Sequence, residues 1–158
     1  SALTEIQSFF WHDYCDYYIE DVKYRVYGGE SKSGAQATLQ KSLKAVLEMM
    51  FPFAPFTTSE IYSELFGGRI KSWPEKGRVD DKALLLGKAL HEALSQVRQQ
   101  KADANKALNA PVEEVKAVLP LDLVDEFADV SDDLKGVAKA ERVVVEAGQS
   151  PEVKAFIR

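Results

Sequence analysis

Apolar side chains recur at helical spacing in four segments of the chain. One face of the first segment carries Trp11, Cys15, Tyr18, Val22 and Val26. Their steps of three and four predict a helix, and Gly28 and Gly29 supply the left-handed residue at which helices commonly end. The whole segment, residues 9–29, holds eight of the chain's sixteen aromatic residues. We expect most of these rings to fill a core, because a helix with two adjacent aromatic stripes packs against several neighbours.

Three further helices are predicted. The second covers about Gly34–Met50, with Leu39, Leu43, Val46, Leu47 and Met50 on one face. The fourth covers about Val79–Asn105, with Val79, Ala83, Leu86, Leu90, Ala93 and Val97 on one face. The third is predicted to begin at Thr57, which has capping-box spacing to Glu60, and to end at Phe66. Phe56 and Ile61 occupy the positions of a hydrophobic staple around that box.

The pattern changes after Pro111. The stretches "VEEVKAVLP" and "ERVVVEAG" have the composition of short strands, and the acidic stretch between them predicts a helix. The expected fold is therefore mainly α: an antiparallel bundle of about four helices over residues 1–110, with a small C-terminal α/β appendage over residues 111–158.

Charge is distributed unevenly between these two parts. Residues 1–110 carry as many bases as acids, whereas residues 111–158 carry eleven acids and six bases, which accounts for the net charge of -5. The acidic part would repel a phosphate backbone, so composition does not favour a strong free-standing nucleic-acid binder. No apolar run is long enough for a membrane span. The single Cys15 fits a reducing compartment, and we expect the cytosol.

Few residues suggest catalysis or metal binding. His12, Cys15 and Asp16 are near one another on the first helix, but no second cluster completes a metal site. Cys15 is expected to be a buried, inert thiol rather than a nucleophile. The sequence also lacks a glycine-rich phosphate loop and a nucleophile elbow. No catalytic residue and no metal site is predicted.

Basic residues with aromatic neighbours are the candidates for nucleic-acid contact. They are Lys23, Arg25, Tyr27, Lys32, Arg69, Lys71, Trp73, Arg98 and Lys101, with Lys106 beside them. Single-stranded RNA is bound by stacking bases on aromatic planes while cations hold phosphates. Of the aromatic residues on the first helix, only Tyr24 and Tyr27 are considered for base contact. The alternative is that these are ordinary solvated side chains at helix ends.

Four spaced motifs resemble the anticodon-binding region of class I aminoacyl-tRNA synthetases, and among these most of all the valyl-tRNA synthetases. They are "FFWHDYCDYYIEDVKYRVYG", "TLQKSLKAVLEMMFPFAPFTTSEIYSELF", "KSWPE" and "VRQQKADANKALNAPVEEVKAVLP", which together cover about residues 4–120. Ser59 departs from the acid that the family commonly places before Glu60. The catalytic motifs and the first helices of the domain are not found, so we expect a piece of a longer enzyme.

The resemblance implies a role without catalysis in this piece. The parent would be a valine-tRNA ligase that uses ATP and magnesium elsewhere in its polypeptide, with no cofactor here. This piece would help to hold the anticodon stem and loop of tRNA, and its partners would be tRNA and the remainder of the synthetase. Rings left uncovered would allow self-association. Two alternatives stay open: the same region of isoleucyl-tRNA synthetase, and a helical protein-interaction module that does not bind RNA.

Overall fold

The computed structural model describes residues 1–28, 32–148 and 152–157, with backbone alone for the last range and for Asp122 and Asp129. The described chain forms two compact units. The helical unit comprises Ser1–Glu20 and Arg25–Arg78, and the sheet unit comprises Asp21–Tyr24 and Val79–Arg158. The expectation of a mainly helical chain with a small C-terminal α/β part is confirmed.

The first segment is helical from its start, but it changes type along its length. It comprises α1 (Ala2–Ser8), a π-helix (Phe9–Tyr18), α2 (Ile19–Asp21) and α3 (Lys23–Val26). Each turn of a π-helix contains more residues than a turn of an α-helix, because its hydrogen bonds reach one residue further. Gly28 then takes a φ of +138°, as the predicted helix end requires, whereas Gly29 lies outside the described residues.

The π-helix overturns the predicted buried face of this segment. Trp11 is 60% exposed, and of the predicted face only Val22 is buried. Tyr14 is instead the buried ring, and its hydroxyl donates to the Leu39 carbonyl oxygen at 2.9 Å. Five of the eight rings are exposed: Phe9, Trp11, Tyr17, Tyr24 and Tyr27. The expectation that most of these rings lie in a core was wrong, since a π-turn rotates side chains away from a face laid out at helical spacing.

Two longer helices complete the regular structure of the helical unit. They are α4 (Lys32–Met50) and α5 (Pro55–Phe66). On α4 the predicted face is buried at Val46 and Leu47. The turn between the helices is tight, because the amides of Phe53 and Ala54 both donate to the Met50 carbonyl.

The predicted start of α5 was wrong by two residues. Pro55 takes the first helical position, where its fixed φ suits a helix and its missing amide hydrogen costs nothing. Thr57 therefore lies inside the helix and forms no capping box. The Thr58 hydroxyl donates to the Ala54 carbonyl at 2.8 Å instead. Phe56 is 90% exposed, so the predicted staple does not form either.

The sheet unit contains one long helix and a β-α-β motif followed by a third strand. Its elements are α6 (Asp81–Asp103), β1 (Val112–Leu119), α7 (Leu121–Ala138), β2 (Ala140–Ala147) and β3 (Glu152–Ile157). The strand order is β2-β1-β3, with β2 parallel and β3 antiparallel to β1. Both predicted strands and the acidic helix between them are confirmed, whereas β3 was not predicted.

The core of the sheet unit lies between the sheet and its helices. Alternate residues of β1 point into this core, and α7 adds Phe127 and Leu134, which are fully buried. The predicted face of α6 is buried from Leu90 to Val97. Because α6 packs with the sheet, it belongs to the sheet unit, and the boundary between the units in this region lies between Arg78 and Val79. The predicted boundary between domains lies after residue 110.

Candidate nucleic-acid interface

The segment after α5 is an exposed basic loop, comprising residues 67–78. It begins at Gly67 and Gly68, whose φ values of +71° and +77° end the helix in a conformation that favours glycine. No regular secondary structure follows before α6. Trp73 is 60% exposed here, and the predicted candidates Arg69 and Lys71 are exposed beside it. The loop therefore presents an indole ring to solvent between cations.

Two further cations of this loop were missed by the sequence prediction. Lys76 and Arg78 are both exposed, and the only acid of residues 67–78 is Glu75. The signal was present in the sequence, because four bases fall within ten residues of a chain whose net charge is -5. Such a cluster attracts phosphate locally even where the whole chain does not.

The end of the first helical segment carries further candidates of the helical unit. Tyr27, just after α3, is 81% exposed, and Arg25 is half-buried. Lys32, predicted in a loop, is instead the first residue of α4 and is exposed. Arg25 and Tyr27 come before the short connection between α3 and α4, and Lys32 comes directly after it. The three residues are therefore close together in the sequence.

Residues 21–24 pack with the sheet unit through a buried carboxylate. Asp21 is 8% exposed, and its Oδ2 lies 3.0 Å from Nδ1 of His91. The other oxygen, Oδ1, lies 3.5 Å from the Arg98 guanidinium. Arg98 therefore forms an internal ion pair with Asp21, so less of its guanidinium group is available to contact a phosphate. Lys23 is exposed on the same short segment.

Tyr24 packs against Gly136 of α7. A Cβ atom built on Gly136 would lie 2.3 Å from both Cγ and Cδ2 of the tyrosine ring and 2.8 Å from Cδ1. Three ring atoms so close to one point show that the face of the ring covers the glycine. Tyr24 is nevertheless 44% exposed.

Lys101 has a structural role that removes it from the candidate contacts. Lys101 is 1% exposed, and its Nζ donates to the carbonyl oxygens of Leu108 at 2.9 Å and Ala138 at 2.8 Å. Burial lowers the pKa of Lys101, and the nearby charges of Arg98 and Lys139 lower it further. An ammonium group enclosed in this way has no surface to offer a phosphate, so we withdraw it. Its polar sequence neighbours gave no sign of this burial.

The residues considered for metal binding and thiol chemistry lie on the π-helix. Nδ1 of His12 and Oδ2 of Asp16 are 3.3 Å apart at an exposed position. Cys15 is half-buried, not buried as predicted. Partial burial and the neighbouring Asp16 raise the pKa of its thiol, which disfavours the reactive thiolate. Within residues 1–28, 32–148 and 152–157, no group of three or more His, Cys, Asp or Glu side chains could hold a metal ion.

An open cleft of about 150 Å³ lies beside α6 in the sheet unit. Its walls are mostly apolar and include Leu85, Ala89, Leu119 and Leu123. The predicted contact residues lie elsewhere. In the part of the chain that the structure describes, no helix is both long and apolar enough to span a membrane.

Comparison with known proteins gives one consistent result. Residues 1–117 match the family described as the anticodon-binding domain of tRNA ligase. The chain is 35% identical to a valine-tRNA ligase of Pyrococcus abyssi, over 92% of this chain and 17% of that protein. It is 33% identical to the Anaplasma marginale enzyme of the same name, over 99% of this chain and 20% of that protein. The chain thus spans about a fifth or less of the length of these relatives.

Proposed function

The chain belongs to the anticodon-binding domains of class I tRNA ligases, and from this membership we propose that it binds the anticodon stem and loop of a tRNA. The parent protein would be a valine-tRNA ligase, because the relatives similar to most of this chain carry that name. Attachment of valine would then take place in another part of the polypeptide, with ATP and magnesium bound there.

The basic loop is the structural observation that supports this proposal most directly. An anticodon loop offers unpaired bases, and proteins bind such bases by stacking them on aromatic side chains. Trp73 provides an exposed ring for that purpose. Arg69, Lys71, Lys76 and Arg78 provide cations on either side of it for the adjacent phosphates.

The charge of the chain limits the strength of this binding. The net charge is -5, and the whole excess of acids over bases lies in residues 111–158. Long-range attraction to RNA is therefore small, and binding depends on a few local contacts. Affinity is expected to fall steeply with salt, because each neutralised phosphate releases condensed counterions.

Titration of a labelled RNA hairpin tests the proposal. The hairpin carries the anticodon stem and loop of a valine tRNA, and fluorescence anisotropy reports binding to the 158-residue chain at low salt. Trp73→Ala is expected to weaken binding roughly 5- to 100-fold, the usual effect of removing one base-stacking ring. Trp11→Ala is the matched control, since Trp11 is also 60% exposed in the helical unit but has acidic neighbours.

The outcomes distinguish three hypotheses for this chain: a domain of a valine-tRNA ligase, the same region of an isoleucyl-tRNA synthetase, and a protein-interaction module. Equal losses for the two tryptophan variants would show that the basic loop is not the contact. Tighter binding to an isoleucine tRNA hairpin would favour the related synthetase. If the chain binds neither hairpin at low salt, it is better described as a protein-interaction module.

A further inference from the structure

One face of the exposed Tyr24 ring is held against a helix of the sheet unit. Gly136 lies under that face, with no room for even a methyl group between helix and ring. Glycine is unfavourable in the interior of a helix such as α7. The close approach of Tyr24 explains why a glycine is needed at this position.

The outer side of the same ring is accessible. Tyr24 is 44% exposed although it packs on α7, so its accessible surface lies on the side away from Gly136. Its backbone is held as well, because Asp21, three residues earlier, is fixed by His91 and Arg98. A ring held in this way loses little conformational freedom when a second flat group stacks on it.

The charge around this ring is favourable for a nucleic acid. Lys23 precedes Tyr24, and Lys135 and Lys139 lie on either side of Gly136 in the chain; all three are exposed. The acids of α7 all precede Gly136: Asp132, four residues before it, is exposed, whereas Asp133 is 4% exposed. Residues 134–140 therefore carry bases and no acid, with exposed acids at Asp132 before them and Glu141 after them.

We propose that Tyr24 is a second base-stacking platform for single-stranded RNA and that Gly136 is its positioning residue. This inference rests on the proposed function. It gives the α/β part of the chain a role in RNA binding: α7 holds the ring in place and adds cations beside it. The bound group is an unpaired base with its adjacent phosphate.

Four variants of the 158-residue chain test the proposal with the valine tRNA hairpin. Tyr24→Ala removes the platform and is expected to weaken binding roughly 5- to 100-fold. Tyr24→Phe keeps the ring and is expected to bind normally. Gly136→Ala places a methyl group where the ring lies, and is expected to weaken binding to a similar extent. Gly87→Ala is its control, because this glycine on α6 has nothing within 4 Å of an added Cβ.

The double variant Tyr24→Ala, Gly136→Ala shows whether the two residues act together. Without the ring the alanine meets no obstacle, so binding is expected to equal that of Tyr24→Ala alone. Circular dichroism of each variant checks that it is folded. If Gly136→Ala fails to fold, the comparison of Tyr24→Ala with Tyr24→Phe decides the role of the ring.

The results distinguish this inference from the function on which it rests. If the unaltered chain binds the hairpin and Tyr24→Ala binds equally well, the platform is refuted and the proposed function stands. A loss in Tyr24→Ala that Tyr24→Phe shares also refutes stacking, because the ring is retained. If the unaltered chain does not bind RNA, both proposals are refuted.

Discussion

The two units of the molecule differ in how completely their core residues are buried. In the sheet unit, Val112, Val115, Phe127 and Leu134 are 0% exposed. The most buried apolar residues described in the helical unit, Ala35 and Val46, keep 4% exposure. The helical unit also leaves large rings in solvent, with Phe56 at 90% and Tyr27 at 81%.

The difference has a physical cause. A sheet with helices packed against it encloses alternate residues of each strand, so a short chain can form a closed core. The helical unit has no sheet to cover its helices, and several rings on their outer faces stay in solvent. Exposed apolar surface on such a scale commonly marks a surface used for contact with other molecules. We therefore expect the sheet unit to contribute more of the stability, and the helical unit to contribute most of the surface for the proposed binding.

The largest expected effect comes from the sheet-unit core. Phe127→Ala is expected to lower the free energy of unfolding by about 3–5 kcal/mol, because it leaves a cavity in a closed core. Phe56→Ala in the helical unit is the control, and it is expected to change the free energy of unfolding by no more than about 0.5 kcal/mol. Urea denaturation measures both variants. Similar losses for the two would contradict the contrast between the units.

A smaller effect is expected from the buried ammonium group of Lys101. Lys101→Met keeps much of the side-chain volume but leaves the Ala138 carbonyl without its donor. We expect a loss of about 1–3 kcal/mol in the free energy of unfolding, the usual cost of a buried unsatisfied group. Lys106→Met, at an exposed position, is the control. If the stability of Lys101→Met is unchanged, the ammonium group does not connect the loop that follows α6 with the end of α7.

The same lysine predicts a dependence of stability on pH. Its pKa is lowered in the folded chain from the ordinary value of 10.5, so the unfolded chain binds more protons in the interval between the two pKa values. Its contribution to stability therefore rises with pH across that interval and reaches its full value above 10.5. Urea denaturation at a series of alkaline pH values should show a smaller rise for Lys101→Met than for the unaltered chain. An identical rise in both would contradict the lowered pKa.

The smallest effect sharpens the description of the helical unit. Tyr14→Phe removes the hydrogen bond from the π-helix to the Leu39 carbonyl and is expected to cost about 1 kcal/mol. Tyr27→Phe alters an exposed ring and should leave the free energy of unfolding almost unchanged. Thermal unfolding compares the two variants. If Tyr14→Phe leaves the stability unchanged, water satisfies the Leu39 carbonyl in place of the tyrosine hydroxyl.

The type and order of most elements could be predicted from the sequence. Repeated apolar spacing identified the face of α6 from Leu90 to Val97, and the composition after Pro111 identified β1, α7 and β2. The exposed Trp73 among cations was also among the predicted contacts. Within a single segment, local periodicity is enough for these inferences.

Two of the failures have different causes. Trp11 was assigned to a core because the spacing was read at an α-helical period, whereas hydrogen bonds along the backbone form a π-helix there. Lys101 was assigned to the surface because lysines are rarely buried, and only carbonyls seven and thirty-seven residues away in the sequence satisfy its charge. The first outcome is set by local backbone hydrogen bonds, whereas the second depends on a carbonyl that is distant in the sequence.

The sequence by itself determined the mainly helical class, the β-α-β order of the C-terminal part, the acidic character of that part and the family. These properties follow from local spacing, composition and motifs. Only the tertiary structure decided that α6 packs with the sheet, that Lys101 is enclosed and that Gly136 supports the ring of Tyr24. The physical reason is that burial and contact depend on which distant segments meet, and the pattern within one segment does not specify its neighbours.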